Sequence, residues 1–220
     1  MRGARRQREQ GGLPRVRHNG VARGVKRGID MLVAALGLVC LAPLLIGMAL
    51  LVKASGPGPV FFRQRREGRG GRAFELLKFR SMRTDLGDRS GLAQTIDDDP
   101  RITAIGRFMR KYSIDELPQL INVLKGEMSL VGPRPHVAGM LAGGIEYRQL
   151  VPYYEARHAM LPGLTGWAQV NGLRGPTADP AAAVARIDHD IAYVQNWSLR
   201  LDMRILMLTL KRELSGGTGS

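Results

Sequence analysis

The sequence predicts an α+β protein, predominantly helical, with one small β-hairpin. Three observations carry that prediction. They are an uncharged apolar run over residues 31–52, two short apolar–polar alternations around a glycine turn at residues 60–82, and helical patterns ending at Gly126 and covering residues 197–214. A chain of 220 residues has room for one domain of ordinary size, with or without an appendage. The net charge of +14 and a pI near 10.9 imply an anionic partner: nucleic acid, acidic lipid or a phosphorylated substrate. Aromatic residues make up only 5%, too few for a stacking platform, so no nucleic-acid partner is expected. Cys40 is the single cysteine, which excludes an intrachain disulfide. His18, His136, His158 and His189 lack paired ligand spacing, so no zinc site is expected.

Residues 1–27 are rich in arginine and glycine, have no apolar period, and read as a disordered basic tail suited to anionic membrane lipids. Residues 28–53 form the membrane-directed segment. Its apolar run would reach roughly 33 Å as a helix, against a hydrocarbon core of about 30 Å. Pro43 sits near its middle and would bend it. Both flanks are basic, with Arg23, Lys26 and Arg27 before and Lys53, Arg63, Arg65 and Arg66 after, which favours both ends on one side. A spanning helix and a re-entrant one that enters and leaves by the same face are both open on these grounds.

Residues 54–214 form the main body, and 215–220 a flexible end. After the breaker Ser55-Gly-Pro-Gly-Pro59, the alternations at Val60–Arg65 and Ala73–Met82 flank Gly68, Gly70 and Gly71 and read as the hairpin. Lys78 and Arg80 fall on one face of its second strand, as solvated edge charges or as phosphate ligands. Residues 84–106 are polar, and Asp97-Asp-Asp-Pro100 reads as a loop, with a metal role for the acidic triplet as the lesser alternative.

Asp115 and Glu116 are adjacent carboxylates beside Arg107, Arg110 and Lys111, with Gly132-Pro133-Arg134-Pro135 one short helix further on. Two carboxylates among several cations suit a site that holds a divalent metal and a polyphosphate together. The competing reading is a capping box, Ser113 to Glu116, in which Glu116 bonds back to the Ser113 amide. Pro118 would then fall at the fifth helical position. If Pro118 opens the helix instead, the carboxylates lie in the loop entering it. In Gly132–Pro135, two prolines stiffen the backbone around Arg134, as a preorganised phosphate fork would need. Residues 162–172 read as a turn followed by a short strand, and Asp188-His-Asp190 as a solvated helix face. Residues 197–214 carry Arg200, Arg204 and Lys211 at helical spacing and read as an interfacial amphipathic helix or a core helix.

These pieces, in this order, resemble a known family. Lys78-Phe-Arg-Ser-Met82, Asp99-Pro-Arg-Ile-Thr103, Arg110–Leu120, Asn122-Val-Leu-Lys-Gly126, Ser129–Pro135, Pro162–Trp167 and Asn196-Trp-Ser198 are similar to the motifs of the bacterial sugar transferases, the monotopic polyprenyl-phosphate phosphoglycosyl transferases. The match runs from about Lys26 to Leu214. The resemblance implies transfer of a hexose 1-phosphate from a UDP-sugar to undecaprenyl phosphate with release of UMP, initiating exopolysaccharide or related glycan synthesis. Asp115 would be the catalytic nucleophile and Glu116 the ligand of a Mg²⁺ cofactor. Lys78, Arg80, Arg110 and Arg134 would bind phosphate.

The resemblance also implies a monotopic protein at the cytoplasmic face of the bacterial inner membrane, with a proline-broken re-entrant helix and interfacial amphipathic helices. Many relatives carry a serine before the proline. Here it is Ala42, so the bend is expected to be less firmly held. Longer relatives add an N-terminal membrane domain, and this chain resembles the minimal catalytic form. Glucose or galactose is the favoured sugar, and a homodimer is an open option. Two other readings stand beside this one: a non-catalytic basic membrane-associated scaffold, and a glycosyltransferase that would release UDP.

Overall fold

The computed structural model describes residues 20–86, 95, 96, 98–175 and 179–215. The chain opens with α1 (Gly20–Cys40) and α2 (Ala42–Ala54), separated at Leu41 and bent by 64°. Pro43 lies in the first turn of α2, where its missing N–H leaves no hydrogen bond unmade and its ring opposes a straight continuation of α1. No side chain caps the break, as expected with alanine at position 42. None of the described helices is by itself long and apolar enough to cross a membrane, but the bent pair together is, by length and composition. Leu32, Leu36 and Val39 of α1 and Ile46 and Leu50 of α2 are exposed.

Helix α1 begins earlier than the sequence predicts. Residues 20–27, expected in the basic tail, are its first two turns, and residues 1–19 lie outside the described residues. Those turns are anchored. Lys26 Nζ donates to Asp202 Oδ2 at 2.8 Å, and both residues are buried. Asp30 accepts from Ser129 Oγ at 2.7 Å and from the Leu130 N–H at 3.2 Å. Arg27 donates to the carbonyls of Leu124 and Met128.

Strands β1 (Phe61–Glu67) and β2 (Ala73–Phe79) form the predicted hairpin, antiparallel, with Phe61 opposite Phe79 and Glu67 opposite Ala73. Its turn places Gly70 and Gly71 at φ of 66° and 72°, a conformation that disfavours a β-carbon. Then come α3 (Ala104–Lys111), capped by Thr103, a single 3₁₀ turn at Ile114–Glu116, and α4 (Gln119–Lys125). Strand β3 (Ser129–Val131) leads to a small hairpin of β4 (Leu141–Ala142) and β5 (Ile145–Glu146), and to α5 (Tyr147–Leu150). Strand β6 (Gly163–Thr165) returns to pair in parallel with β3 and runs into α6 (Trp167–Val170), so the strand expected after Pro162 ends before the tryptophan. Helices α7 (Pro180–Asn196) and α8 (Leu199–Leu214) close the body.

The main core gathers Leu76 of β2, Leu120 and Val123 of α4, Leu130 and Val131 of β3, Tyr193 of α7 and Ile205 of α8 around Ala34 of α1. Burial of this apolar surface is the main driving force for holding α1 against the body. Helix α8 packs one face into the body, with Asp202 and Ile205 inward, and leaves Met203, Met207 and Leu210 exposed on the other. The reading of Asp188–Asp190 as a solvated face is corrected. Asp190 is 1% exposed and paired with Arg157, and Asp188 accepts from the Tyr153 hydroxyl at 2.9 Å.

Candidate active site

Three elements converge on Glu116: strand β2 brings Lys78, the 3₁₀ turn brings Asp115 and Glu116, and the loop after β3 brings Arg134. Lys78 Nζ donates to Glu116 Oε1 at 2.7 Å. Arg134 donates from Nη2 to the same oxygen at 2.6 Å and from Nη1 to Oε2 at 3.2 Å. This two-pronged contact is the fork geometry in which guanidinium meets carboxylate or phosphate most strongly. The structure decides between the two helix-start readings. Ser113 caps nothing, Glu116 turns its side chain to the cations, and α4 opens behind Pro118. The carboxylates therefore sit in the entry turn, and the capping box does not form.

The two acids differ sharply although they are adjacent. Asp115 is 7% exposed, and among the described residues its carboxylate takes no hydrogen bond. Its oxygens are not among the buried polar atoms left without a partner, so they reach the surface of the site, where a ligand could meet them. Burial raises its pKa above the ordinary value, more than the nearby Lys78 charge lowers it, and the Glu116 charge adds to the rise. Burial acts on Glu116 in the same direction, but Arg134 and Lys78 outweigh it and hold that carboxyl well below the usual range. Lys78 is itself lowered by burial in spite of Glu116, whereas the Glu116 charge raises Arg134. The result is a carboxylate clamped by two cations beside one with no hydrogen-bond partner among the described residues.

Arg134 owes its aim to a buried scaffold that the sequence did not reveal. Gly132 has no room for a β-carbon, which would stand 2.3 Å from the Leu161 carbonyl oxygen. The Gly163 N–H donates to the Pro133 carbonyl at 2.9 Å, and Arg66 Nη1 to that of Pro135 at 3.1 Å. Arg157 donates to the backbone carbonyl of Arg134 itself and is held by Asp190 Oδ2 through Nη2 at 2.7 Å and Nε at 3.1 Å. Tyr154 links this layer to Glu67 and His136, each at 3.1 Å. Burial and the Arg134 charge bring the Arg66 pKa down to about 10. One signal for the scaffold was legible: Asp190 follows Ile187 by three residues and precedes Val194 by four, which places it on the buried side of α7.

The other predicted residues separate. Arg110 lies near enough for its charge to act on Asp115, and its Nη2 donates to Thr95 Oγ1 at 2.9 Å. Arg80 is elsewhere. It is 5% exposed and donates to the carbonyls of Pro57, Val52 and Gly56 at 2.6, 2.7 and 2.8 Å, closing the end of α2. Asp99 accepts a forked contact from Arg101, and Asp97 lies outside the described residues.

Asp115 and Glu116 are the hard-oxygen donors available for magnesium. Among the described residues no group of three or more His, Cys, Asp or Glu could hold a metal alone. Magnesium commonly takes one or two protein carboxylates and completes its shell with phosphate oxygens and water, so the pair fits the ion only together with a phosphorylated ligand. Both Glu116 oxygens are already engaged, so the ion and the two cations would compete for that carboxylate.

A family model described as bacterial sugar transferase matches residues 21–216. The chain is 55% identical over 195 residues to the exopolysaccharide production protein PSS of Rhizobium leguminosarum bv. phaseoli, covering 89% of this chain and 98% of that protein. It is 47% identical to a UDP-glucose:undecaprenyl-phosphate glucose-1-phosphate transferase of Xanthomonas campestris pv. campestris, covering 95% of this chain and 42% of the relative. A UDP-N-acetylgalactosamine-undecaprenyl-phosphate N-acetylgalactosaminephosphotransferase of Aeromonas hydrophila is 42% identical, with 87% and 44% covered. The chain therefore spans less than half the length of these last two relatives.

Proposed function

The chain belongs to the bacterial sugar transferase family, and from that premise we propose that it moves a hexose 1-phosphate from a UDP-sugar to undecaprenyl phosphate, releasing UMP and initiating exopolysaccharide synthesis. The observation that carries the mechanism is the contrast within the carboxylate pair: Glu116 clamped by Lys78 and Arg134, and Asp115 beside it with no protein hydrogen bond among the described residues. A carboxylate at the surface of the site can act as a nucleophile, and adjacent cations stabilise charge on the phosphoryl group it attacks.

The transfer has two steps. An Asp115 oxygen bonds to the β-phosphorus of the UDP-sugar, and the bond from that phosphorus to the bridging oxygen breaks, so UMP leaves with the electron pair. An oxygen of undecaprenyl phosphate then attacks the same phosphorus and displaces Asp115, returning it as a free carboxylate. Lys78 and Arg134 bind the phosphate oxygens, and Arg110 keeps positive potential beside Asp115. Bound at Glu116, Mg²⁺ would offset pyrophosphate charge. The clamp keeps Glu116 ionised, and the proline-braced loop keeps Arg134 from retreating into solvent.

Attachment at the cytoplasmic face of the inner membrane through a re-entrant α1–α2 pair is supported by the 64° bend and the exposed apolar residues of both helices. It is supported further by how the pair is tied down. Lys26 and Arg27 fix the start of α1 to the same body to which Arg80 fixes the end of α2. A straight span would carry those ends to opposite sides of the bilayer.

The test uses purified protein with Mg²⁺, undecaprenyl phosphate and a panel of UDP-glucose, UDP-galactose and UDP-N-acetylgalactosamine. The expected result is UMP from one donor, a phosphosugar adduct on Asp115 by mass spectrometry when the lipid is withheld, and neither from Asp115→Asn. UDP as the released nucleotide would place the chain in another reaction class. No release from any donor would leave a membrane scaffold as the better reading.

A further inference from the structure

Ser113 stands two residues before Asp115 with φ of 53° and ψ of 21°, one of two non-glycine residues with positive φ among those described. Serine adopts this left-handed conformation only at a cost, so something must hold it there. Its backbone is tied locally, the N–H to the Arg110 carbonyl at 3.2 Å and the carbonyl to the Glu116 N–H at 3.1 Å, but its side chain makes no capping bond in that turn. What it does meet comes from far along the chain. Arg174 Nη2 donates to Ser113 Oγ at 2.8 Å, Ser113 Oγ donates to Glu213 Oε1 at 3.3 Å, and Arg174 Nη1 donates to that same Glu213 oxygen at 3.0 Å. The three side chains close a ring joining the entry turn, the loop after α6 and the last turn of α8.

Glu213 is an uneconomical way to finish a helix. Its Oε2 is buried without a hydrogen-bond partner, and its charge sits at the negative end of the α8 dipole. A basic residue would serve that end better. The group that gains from Glu213 is the backbone beneath the nucleophile. We propose that Arg174 and Glu213 are positioning residues for the transfer, holding Ser113 left-handed so that the 3₁₀ turn presents Asp115 away from hydrogen-bond donors. The last turn of α8 thereby sets the reactivity of a carboxylate 98 positions earlier in the chain. The inference rests on the proposed role of Asp115.

Glycine takes the left-handed conformation without penalty, which gives the test its logic. In the full chain, Glu213→Gln should lower kcat for UMP release about tenfold, a barrier change of roughly 1.4 kcal/mol. KM for the UDP-sugar should stay within about twofold, because the loss falls on the transition state and not on ground-state binding. Ser113→Gly needs no tether and should stay near wild type. Adding Glu213→Gln in that background should cost less than about threefold, since the two changes act through one element. A wild-type kcat in Glu213→Gln would overturn the proposal. So would the same tenfold loss in both backgrounds, which would mark Glu213 as a support of α8 only. A second readout needs no substrate: amide hydrogen exchange over residues 113–117 should quicken in Glu213→Gln, and unchanged exchange would overturn the tether. If exchange responds while the wild-type protein releases no UMP, the tether stands and the proposed reaction falls.

Discussion

Lys78 and Arg134 converge on one oxygen, Oε1 of Glu116, at 2.7 and 2.6 Å. Two cations on one carboxylate oxygen repel each other, and only the carboxylate makes their proximity tolerable. Replacing Glu116 with glutamine removes that compensation. Glu116→Gln is expected to cost roughly 3 kcal/mol, the low end for breaking a buried ion pair, because the Arg134 side chain keeps 29% exposure. UMP release should fall about 10²- to 10³-fold, as for loss of an electrostatic stabiliser. Denaturant unfolding of the variant beside wild type, with initial rates, checks both.

Asp115→Asn should abolish transfer and yet raise Tm. Burial makes the Asp115 charge unfavourable in the fold, and asparagine removes the charge at nearly constant shape. The gain should shrink as pH falls through the raised Asp115 pKa, where the wild-type carboxyl becomes neutral too. Melting curves from about pH 8 down to about pH 4 would read this convergence. A variant that melts below wild type near neutral pH would show that the Asp115 charge stabilises the fold.

The pH–rate profile should be narrower than free carboxyl and amino groups would give. The acid limb belongs to Asp115, raised above its ordinary 3.8, and the basic limb to Lys78, lowered from its ordinary 10.5. Glu116 contributes neither limb. Its depressed pKa means that the stability it supplies is present above its ordinary value of 4.5 and is lost only as pH falls further toward that depressed pKa. An acid limb at or below 3.8 would contradict the assignment of Asp115.

Arg80 and Lys78 should fail differently. Arg80→Ala leaves three carbonyls at the end of α2 without their donor and is expected to destabilise the protein by about 3 kcal/mol, given roughly 1.5–3 for a hydrogen bond from a charged group. KM for the UDP-sugar should not move. Lys78→Ala should lower activity with the smaller effect on folding. A raised KM in Arg80→Ala at unchanged stability would restore Arg80 as a phosphate ligand.

Asp190→Asn removes the partner of a fully buried guanidinium and should cost roughly 3–5 kcal/mol. Arg157→Lys is the finer probe. It keeps the charge but cannot hold Asp190 and the Arg134 carbonyl with one rigid fork, so kcat should fall more than stability does. Parallel urea titrations and UMP assays of the two variants separate these effects.

What the sequence made legible was local. The hairpin was written in period-two alternation and glycines, the bend in Pro43, and the site in the density of charge around Asp115 and Glu116. What it concealed depends on chain segments that meet only in the fold. Ser113 and Glu116 have capping-box spacing, but Lys78 lies 38 residues from Glu116 and claims it first. Arg80 matched a motif beside Lys78, but its surroundings are set by where α2 happens to end. Asp190 looked like surface charge because its partner is 33 residues away.

Arg80 also has a metric consequence. It continues the ladder of β2, its N–H reaching the Val60 carbonyl at 2.9 Å, and stands two residues beyond Lys78. At about 3.4 Å per residue, some 7 Å of stiff strand separate the grip on Glu116 from the grip on the end of α2. Under the proposed attachment of α2 to a bilayer, that spacing would hold the proposed reaction at a fixed altitude above the hydrocarbon. A polyprenyl phosphate would then have to lift its headgroup to that height, and a lipid whose phosphate rides deeper would pass beneath Asp115.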